Sequence, residues 1–461
     1  MPVLENFEKE HSSDLLHRLN DALESGMYVQ VREMLNQLPA ADVAHMLEST
    51  PPKERKMLWR LLDSEREGEV LQFLNEEILN AFAEEMEPAD LAAATANLDT
   101  DDVVDILGDL PDNVTKEVLA SMSYQDRIRL EQALQYPEDT AGGLMNTDTV
   151  SVRPTVTIEV VLRYLRMRKE LPKNTDSIYV VDDQDLLIGT VQLSSLITSQ
   201  PEQLVEEVLN QEIEAIPAEL PDADVASVFE RYDLISAPVV DQQGKLLGRI
   251  TIDDVLDVII EDADHSLMSM AGLDESDDTF APVFTSAKRR AVWLGINLIT
   301  VMVAAFVIGL FEHTIAAVTA LAILLPIVPS MGGIAGTQSL TLVIRGLSVG
   351  HISSSNFRWL MMKELGVSII NGLLWAFVVG VCVYFWFSFV QSSAYAVQLG
   401  ITIAGAMTVN LIAGATAGAL LPMVMTKLNI DPALSGGVVL TTITDMVGFF
   451  AFLGLATFFF M

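Results

Sequence analysis

Thr441-Thr442-Ile443-Thr444-Asp445-Met446-Val447-Gly448 lies well inside the apolar run Ser435–Phe460. Crossing a bilayer takes about 20 mostly apolar residues, so this run is a candidate span. A carboxylate at that depth costs about 3 kcal/mol and normally turns toward the bundle interior or water. Asp445 therefore either locks helices together as a protonated or hydrogen-bonded acid, or faces a cation. No Lys or Arg lies at matching depth to pair with it, which favours the cation. Thr441 is one turn earlier on the same face. The hydroxyls of Thr441, Thr442 and Thr444 either bond back to their own helix or face that cation.

Four more candidate spans precede this one: Ala291–Phe311, Ile315–Ile344, Leu365–Val390 and Leu399–Met425. The second and fourth are rich in small residues, which let helices approach closely in lipid. The second contains Pro326-Ile327-Val328-Pro329-Ser330-Met331-Gly332-Gly333-Ile334-Ala335-Gly336-Thr337. Its prolines and glycines are expected to break or kink the helix and free carbonyls toward a watery cavity. Asn297, Asn371 and Asn410 are expected to hydrogen-bond between helices. Lys288, Arg289, Arg290, Arg345, Arg358, Lys363 and Lys427 all fall on one side of the spans. Basic residues mark the cytosolic side, so the expected topology is N-terminus inside and C-terminus outside, a multi-pass protein of the plasma membrane (a bacterial inner membrane). An odd number of spans in so short a domain points to a homodimer with the pore on its twofold axis.

The 461 residues carry 63 acidic and 27 basic side chains, a net charge of −36. From Lys288 onward the only acids are Glu312, Glu364, Asp431 and Asp445, so the excess lies almost wholly before the spans. It serves solubility, or it forms repelling surfaces that divalent cations relieve. It argues against nucleic acid as a partner, since phosphate binding needs basic surface. Cys382, the single cysteine, excludes a disulfide framework or a cysteine metal cluster. Met1–Ser12 is polar and has no signal-peptide core, so the acidic part is expected in the cytosol.

Residues up to about Leu134 read as helical. Leu38-Pro39-Ala40-Ala41-Asp42, Met86-Glu87-Pro88-Ala89-Asp90 and Leu98-Asp99-Thr100-Asp101-Asp102 each look like a loop entering a helix. Such repetition suggests stacked helix pairs. From Tyr136 the pattern changes. Ile178-Tyr179-Val180-Val181-Asp182 and Ala237-Pro238-Val239-Val240-Asp241 are matching strands, each followed by a turn, a second strand and a helix. Asp101 and Asp105 are four apart, as are Asp253 and Asp257; each pair shares a helix face. Such a pair is either a solvated face or half of a metal bridge. No nucleophile–base pair, P-loop or metal-ligand histidine spacing appears, so no enzyme is expected.

The strand repeat resembles a tandem pair of CBS domains. That family's nucleotide motif is matched by Thr251 and Asp254 in the second copy, with Gln192 and Ser195 at the equivalent positions of the first. The order of helical domain, CBS pair, linking helix and five spans resembles the MgtE family of magnesium channels over essentially the whole chain. Local signatures are Glu138-Asp139-Thr140-Ala141-Gly142-Gly143-Leu144-Met145, Asp253-Asp254-Val255-Leu256-Asp257-Val258, Asp431-Pro432-Ala433, and Thr441-Thr442 with Asp445 and Gly448. The resemblance implies a multidomain, mainly α fold with an α/β part. It has an acidic helical superhelix domain (1–135), tandem CBS domains (136–264), a plug-like connecting helix (265–287) and a five-helix transmembrane domain (288–461).

The resemblance also implies a homodimeric Mg²⁺ channel with its pore ion at Asp445, beside Thr441 and Thr442. High cytosolic Mg²⁺ would shut it by bridging Asp101, Asp105, Asp233, Asp254, Asp257, Asp262 and Asp431. ATP in the CBS pair is a further expectation. Where the family pattern has asparagines in the second span, this chain has Ile334 and Thr337. It has Gly436-Gly437-Val438 for a Gly-Pro, and His265 and Ser266 where acids are common. The alternatives are a transporter of another divalent cation such as Co²⁺, or a nucleotide-regulated CBS transporter.

Overall fold

The computed structural model describes residues 19, 21–23, 25–108, 110–168, 171–274, 277–353, 355–391 and 394–461. It divides into two compact units, residues 1–262 with 276–282, and residues 263–275 with 283–461.

The first unit opens with short helices: α1 (Tyr28–Gln37), α2 (Ala40–Glu48), α3 (Pro52–Trp59), α4 (Ser64–Leu71), α5 (Glu76–Ala83), α6 (Pro88–Ala94), α7 (Thr100–Gly108), α8 (Asp112–Ser121) and α9 (Tyr124–Ala133). They begin where the loop-to-helix motifs place them: Pro39 and Glu87 are N-caps, and Pro88 is at the first helical position. Proline suits that position because its missing N–H has no intrahelical partner there. Each of α2, α4 and α6 packs on the second helix after it, the arrangement of a superhelical stack. The core runs through Leu35, Leu58, Leu71, Leu91 and Ile106. At Gly68 a Cβ would lie 2.0 Å from the Ala94 carbonyl oxygen, so α4 can touch the end of α6 only without a side chain there.

Two matching sheets follow. Strands β1 (Ser151–Val152), β2 (Ser177–Val181) and β3 (Leu187–Gln192) form one; β4 (Ile216–Pro217), β5 (Ser236–Val240) and β6 (Leu246–Thr251) form the other. Each pairs its first two strands in parallel and its last two as a hairpin, with a register shift at Val180/Val181 and at Val239/Val240. The turns are built alike. Asp182 accepts from the Gln184 and Leu186 amides, and Asp241 from those of Gln243 and Lys245. Register sets Ser177 opposite Gln192 and Ser236 opposite Thr251, making Gln192 and Thr251 equivalent. Helices α10 (Ile158–Met167), α11 (Leu193–Thr198), α12 (Val205–Val208) and α13 (Asp222–Tyr232) cover the sheets.

Helix α14 runs Ile252–Met270 without a break. Within 265–287, the residues up to Met270 belong to α14, a turn with Gly272 at φ +71° follows, and the residues from Val283 begin the next helix. Helix α14 therefore runs through position 264, and the two compact units meet within it, between residues 262 and 263.

The second unit contains α15 (Val283–Gly309), α16 (Glu312–Ala317), α17 (Ala320–Leu324), α18 (Ile327–Ser348), α19 (Phe357–Phe385), α20 (Ala396–Lys427) and α21 (Pro432–Phe460). Among the described residues five helical segments are long and apolar enough to span a membrane, the second being Ala320–Ser348. The second span does break, but at Leu325–Pro326; Gly332, Gly333 and Gly336 stay inside continuous α18. The glycines serve packing instead. A Cβ on Gly414 would lie 2.3 Å from the Gly332 carbonyl oxygen, and one on Gly418 2.2 Å from that of Gly336. Helices α18 and α20 thus cross backbone to backbone through two facing small-xxx-small pairs. The expectation of freed carbonyls at the glycines is corrected accordingly: the regular ladder is retained because close contact needs an undistorted groove.

Candidate functional site

Asp445 sits in the middle of α21, half-buried, between buried Thr444 and exposed Met446. Among the described residues nothing donates a hydrogen bond to its carboxylate and no basic side chain pairs with it. Gly437, Thr441 and Asp445 recur every fourth residue and so share one face. A Cβ on Gly437 would meet nothing within 4 Å, and Thr441 is exposed, so this face is open. The neighbouring face packs: a Cβ on Gly333 of α18 would lie 3.7 Å from the Thr444 hydroxyl, and one on Gly448 would press on the Asn410 amide.

The threonine hydroxyls take the local option. Thr441 donates to Gly437 O (2.9 Å), Thr442 to Val438 O (2.8 Å), and Thr444 to Leu440 O (3.1 Å) and Thr441 O (3.0 Å). Each oxygen keeps a lone pair that can still accept. Asn410 of α20 is fully buried and donates to Val328 O of α18 at 2.8 Å, the interhelical role expected of it. Asn371 is exposed, and among the described residues Asn297 accepts local bonds from Thr300. Ile334 and Thr337 lie on an exposed face of α18.

Asp431 is the N-cap of α21, accepting from the Ala433 (2.9 Å) and Leu434 (3.1 Å) amides. Its Oδ2 is also 3.2 Å from His265 Nε2 on α14. The position is used three ways at once, with the helix dipole favouring its charge.

In the first unit, α7 carries Asp101 inward and leaves Asp105, one turn later, at its exposed edge. Asp101 is buried and accepts from the Asn146 side chain at 3.2 Å. Burial, then the charges of Asp254, Asp102 and Asp99, push its carboxyl well above the ordinary range. Asp105 reaches solvent, yet the protein packed around its carboxyl strips much of its hydration and, with Glu138, Asp102, Asp254 and Glu261 behind that, pushes it up to about 8. Burial raises Asp254 to about 6, against the opposing bonds from Thr251. So Asp101, Asp105 and Asp254 share one acidic pocket. Lys173 contributes one cation, 3.0 Å from Asp99.

Other expected residues lie at its margins or away from it. Asp257 interacts with Asp253, one turn back, and burial followed by that charge raises it. Asp262 acts on Asp222. Asp233 is exposed at the left-handed C-cap of α13. Among the described residues no three acidic or histidine side chains converge as direct ligands. Separated, poorly neutralised carboxylates fit a hard cation that keeps much of its water, as Mg²⁺ does.

Thr251 and Asp254 pair across the start of α14. Asp254 accepts from the Thr251 amide (3.1 Å) and hydroxyl (3.0 Å), and Asp253 also contacts that hydroxyl. Sequence reading missed Asp102, Glu138, Asn146 and Lys173 in this pocket, and buried Glu364, which accepts from Ser339 and Lys363 at 2.7 Å each. Asp102 and Glu138 stood within quoted motifs. Lys173 and Asn146 arrive from distant loops and carried no local signal.

Three family descriptions match in chain order: the MgtE intracellular N domain at residues 38–139, CBS domains at 141–202 and 205–261, and the divalent cation transporter MgtE at 325–455. The magnesium transporter MgtE of Thermus thermophilus is 31% identical over 95% of this chain and 97% of its own. That of Bacillus subtilis is 28% identical over 96% and 97%. A solved cytosolic domain of the Mg²⁺ channel MgtE in complex with ATP is 31% identical over 53% of this chain and 99% of its own, with a TM-score of 0.49. An unpaired carboxylate on a membrane helix, an acidic pocket beside paired sheets, and these matches along the chain agree: the protein belongs to the MgtE family of divalent cation transporters.

Proposed function

We propose that the chain transports Mg²⁺ across the plasma membrane through a pore on the twofold axis of a homodimer. Asp445 is the pore residue, with Thr441 and Thr442 beside it. The observation that carries this reading is the open face Gly437–Thr441–Asp445, a carboxylate with no protein partner among the described residues. A second protomer against that face would enclose a path lined by two copies of each residue. The names of the two full-length relatives support Mg²⁺ as the cargo.

Cytosolic Mg²⁺ is the proposed inhibitor, with Asp101, Asp105 and Asp254 as the central regulatory residues. Asp257 and Asp262 flank them, while Asp233 and Asp431 are separate members of the set. The proposed domains are 1–135, 136–264, 265–287 and 288–461, with α14 continuing through the second boundary. The basic residues on one side of the spans support an N-terminus inside and a C-terminus outside. Thr251 and Asp254 are the proposed ATP contacts in the CBS pair.

Asp445→Ala tests the pore. In vesicles it should reduce Mg²⁺ influx to the level of protein-free vesicles while the dimer stays assembled. Undiminished flux would remove Asp445 from the pathway. Ile334 and Thr337 on the exposed face of α18 favour a second reading, transport of another divalent cation such as Co²⁺. Competition among Mg²⁺, Ca²⁺ and Co²⁺ in the same vesicles separates the two.

A further inference from the structure

The segment just before the first span is gripped by the helical stack. Arg55 of α3 donates to both carboxylate oxygens of Asp278, Nη1 to Oδ2 at 2.8 Å and Nη2 to Oδ1 at 3.1 Å. Both side chains are buried, at 7% and 5% exposure. The third guanidinium donor, Nε, bonds Leu47 O at 2.9 Å, so the fork is aimed by α2. Glu77 of α5 accepts the Asp278 amide at 2.9 Å. Asp278 in turn accepts from the Phe280 amide through its side chain (2.9 Å) and from the Ala281 amide through its carbonyl (3.0 Å), which folds the segment into a compact turn. Trp59 and Phe82 stack at 4.3 Å and hold α3 against α5, fixing Arg55 relative to Glu77.

A buried ion pair adds little to stability when weighed against its desolvation. Its worth is in selecting one arrangement: only a carboxylate presented with its own amide satisfies both Arg55 and Glu77. We propose that the helical domain carries a docking site for the strap Asp277–Pro282, and that this clamp ties the domain to the first span independently of metal. Only Thr279–Pro282 separate Asp278 from Val283, where α15 begins. A shift of α3 and α5 is therefore passed along the chain to α15 without routing through the paired sheets. The gating consequence rests on the proposed Mg²⁺ inhibition; the docking itself does not.

Asp278→Asn in the full-length protein is the test. Asp278 lies outside every helix of the stack, and the amides of α4 and α7 report whether the stack still folds. Amide exchange at Phe280 and Ala281 should rise at least about tenfold, with α4 and α7 unchanged. The Mg²⁺ concentration that half-inhibits flux should shift at least about threefold, with uninhibited flux unchanged. The exchanged pair Arg55→Asp with Asp278→Arg should recover much of both effects, as coupled neighbours do. Unchanged exchange in Asp278→Asn overturns the docking site. Faster exchange without a shift in half-inhibition overturns the tether. If the parent protein shows no Mg²⁺ inhibition, that proposed function fails, and the exchange measurement still decides the docking site.

Discussion

Asp445 and Asn410 show how polar residues divide their work inside the spans. Asp445 has no protein partner among the described residues and stands on an open face. Asn410 is fully buried and spends its amide on Val328 O. Removing that bond leaves a carbonyl short of one donor in an apolar setting. Asn410→Ala is expected to lower the stability of the helix bundle by about 0.5–1.5 kcal/mol, measured by reversible unfolding in mixed micelles, and to leave the ion preference unchanged. An altered Mg²⁺/Co²⁺ preference would place Asn410 on the pathway instead. Both residues were legible as polar groups at membrane depth. Their division was not, because 3.6-residue periodicity gives a face and not what covers it. The threonines follow the same logic: spacing set Thr441 beside Asp445, and only the three-dimensional structure shows each hydroxyl bonded to its own helix.

At the scale of elements, α18 and α20 were legible as spans rich in small residues, but what those residues do was not. Glycine in a helix reads equally as a hinge or as a contact, and the outcome depends on the partner helix. Here the partner offers Gly414 and Gly418 opposite Gly332 and Gly336, and the contact wins. The hinge falls at Leu325–Pro326, before the glycines begin. A methyl group at Gly418 would overlap the Gly336 carbonyl, a backbone atom that cannot rotate away. Gly418→Ala is therefore expected to cost about 1–3 kcal/mol through forced separation of the helices, read as a lower melting temperature of the purified protein. Gly437→Ala, whose added methyl meets nothing within 4 Å, should leave that melting temperature unchanged. Equal losses in the two variants would mean that helix propensity, and not the crossing, sets the cost. The β-repeat was read more completely than the bundle. Its hairpins form within each copy, so strand, turn and register follow from local sequence.

Across the whole molecule, the acidic pocket needs four pieces of chain: α7, the loop carrying Glu138 and Asn146, the loop carrying Lys173, and the start of α14. Sequence spacing put Asp101 and Asp105 on one helix face, and Asp254 entered through the family resemblance. Spacing could not join them, because a long-range pocket leaves no periodic trace. Once joined, they set a pH dependence. Free carboxylates titrate near 3.9, whereas Asp254 is raised to about 6 and Asp105 to about 8, in both cases chiefly by lost hydration. Below about pH 4 both states hold these protons and the pocket carries no penalty. As pH rises through about 6 and then about 8, the folded state must give up protons it held more tightly than the unfolded chain, and that stability is lost. A cation reverses this by replacing the protons. Mg²⁺ binding at pH 7 should therefore release about one proton per pocket, seen as a calorimetric heat that changes with the ionisation enthalpy of the buffer. The apparent Mg²⁺ affinity should rise from pH 6 to pH 8 and level off above it. Asp105→Asn should remove most of the proton release, while Asp233→Asn, at an exposed helix end, should leave it intact. Buffer-independent heats would mean that Mg²⁺ binds elsewhere, on carboxylates already ionised, and the acidic pocket would then be a solvated surface between α7 and α14.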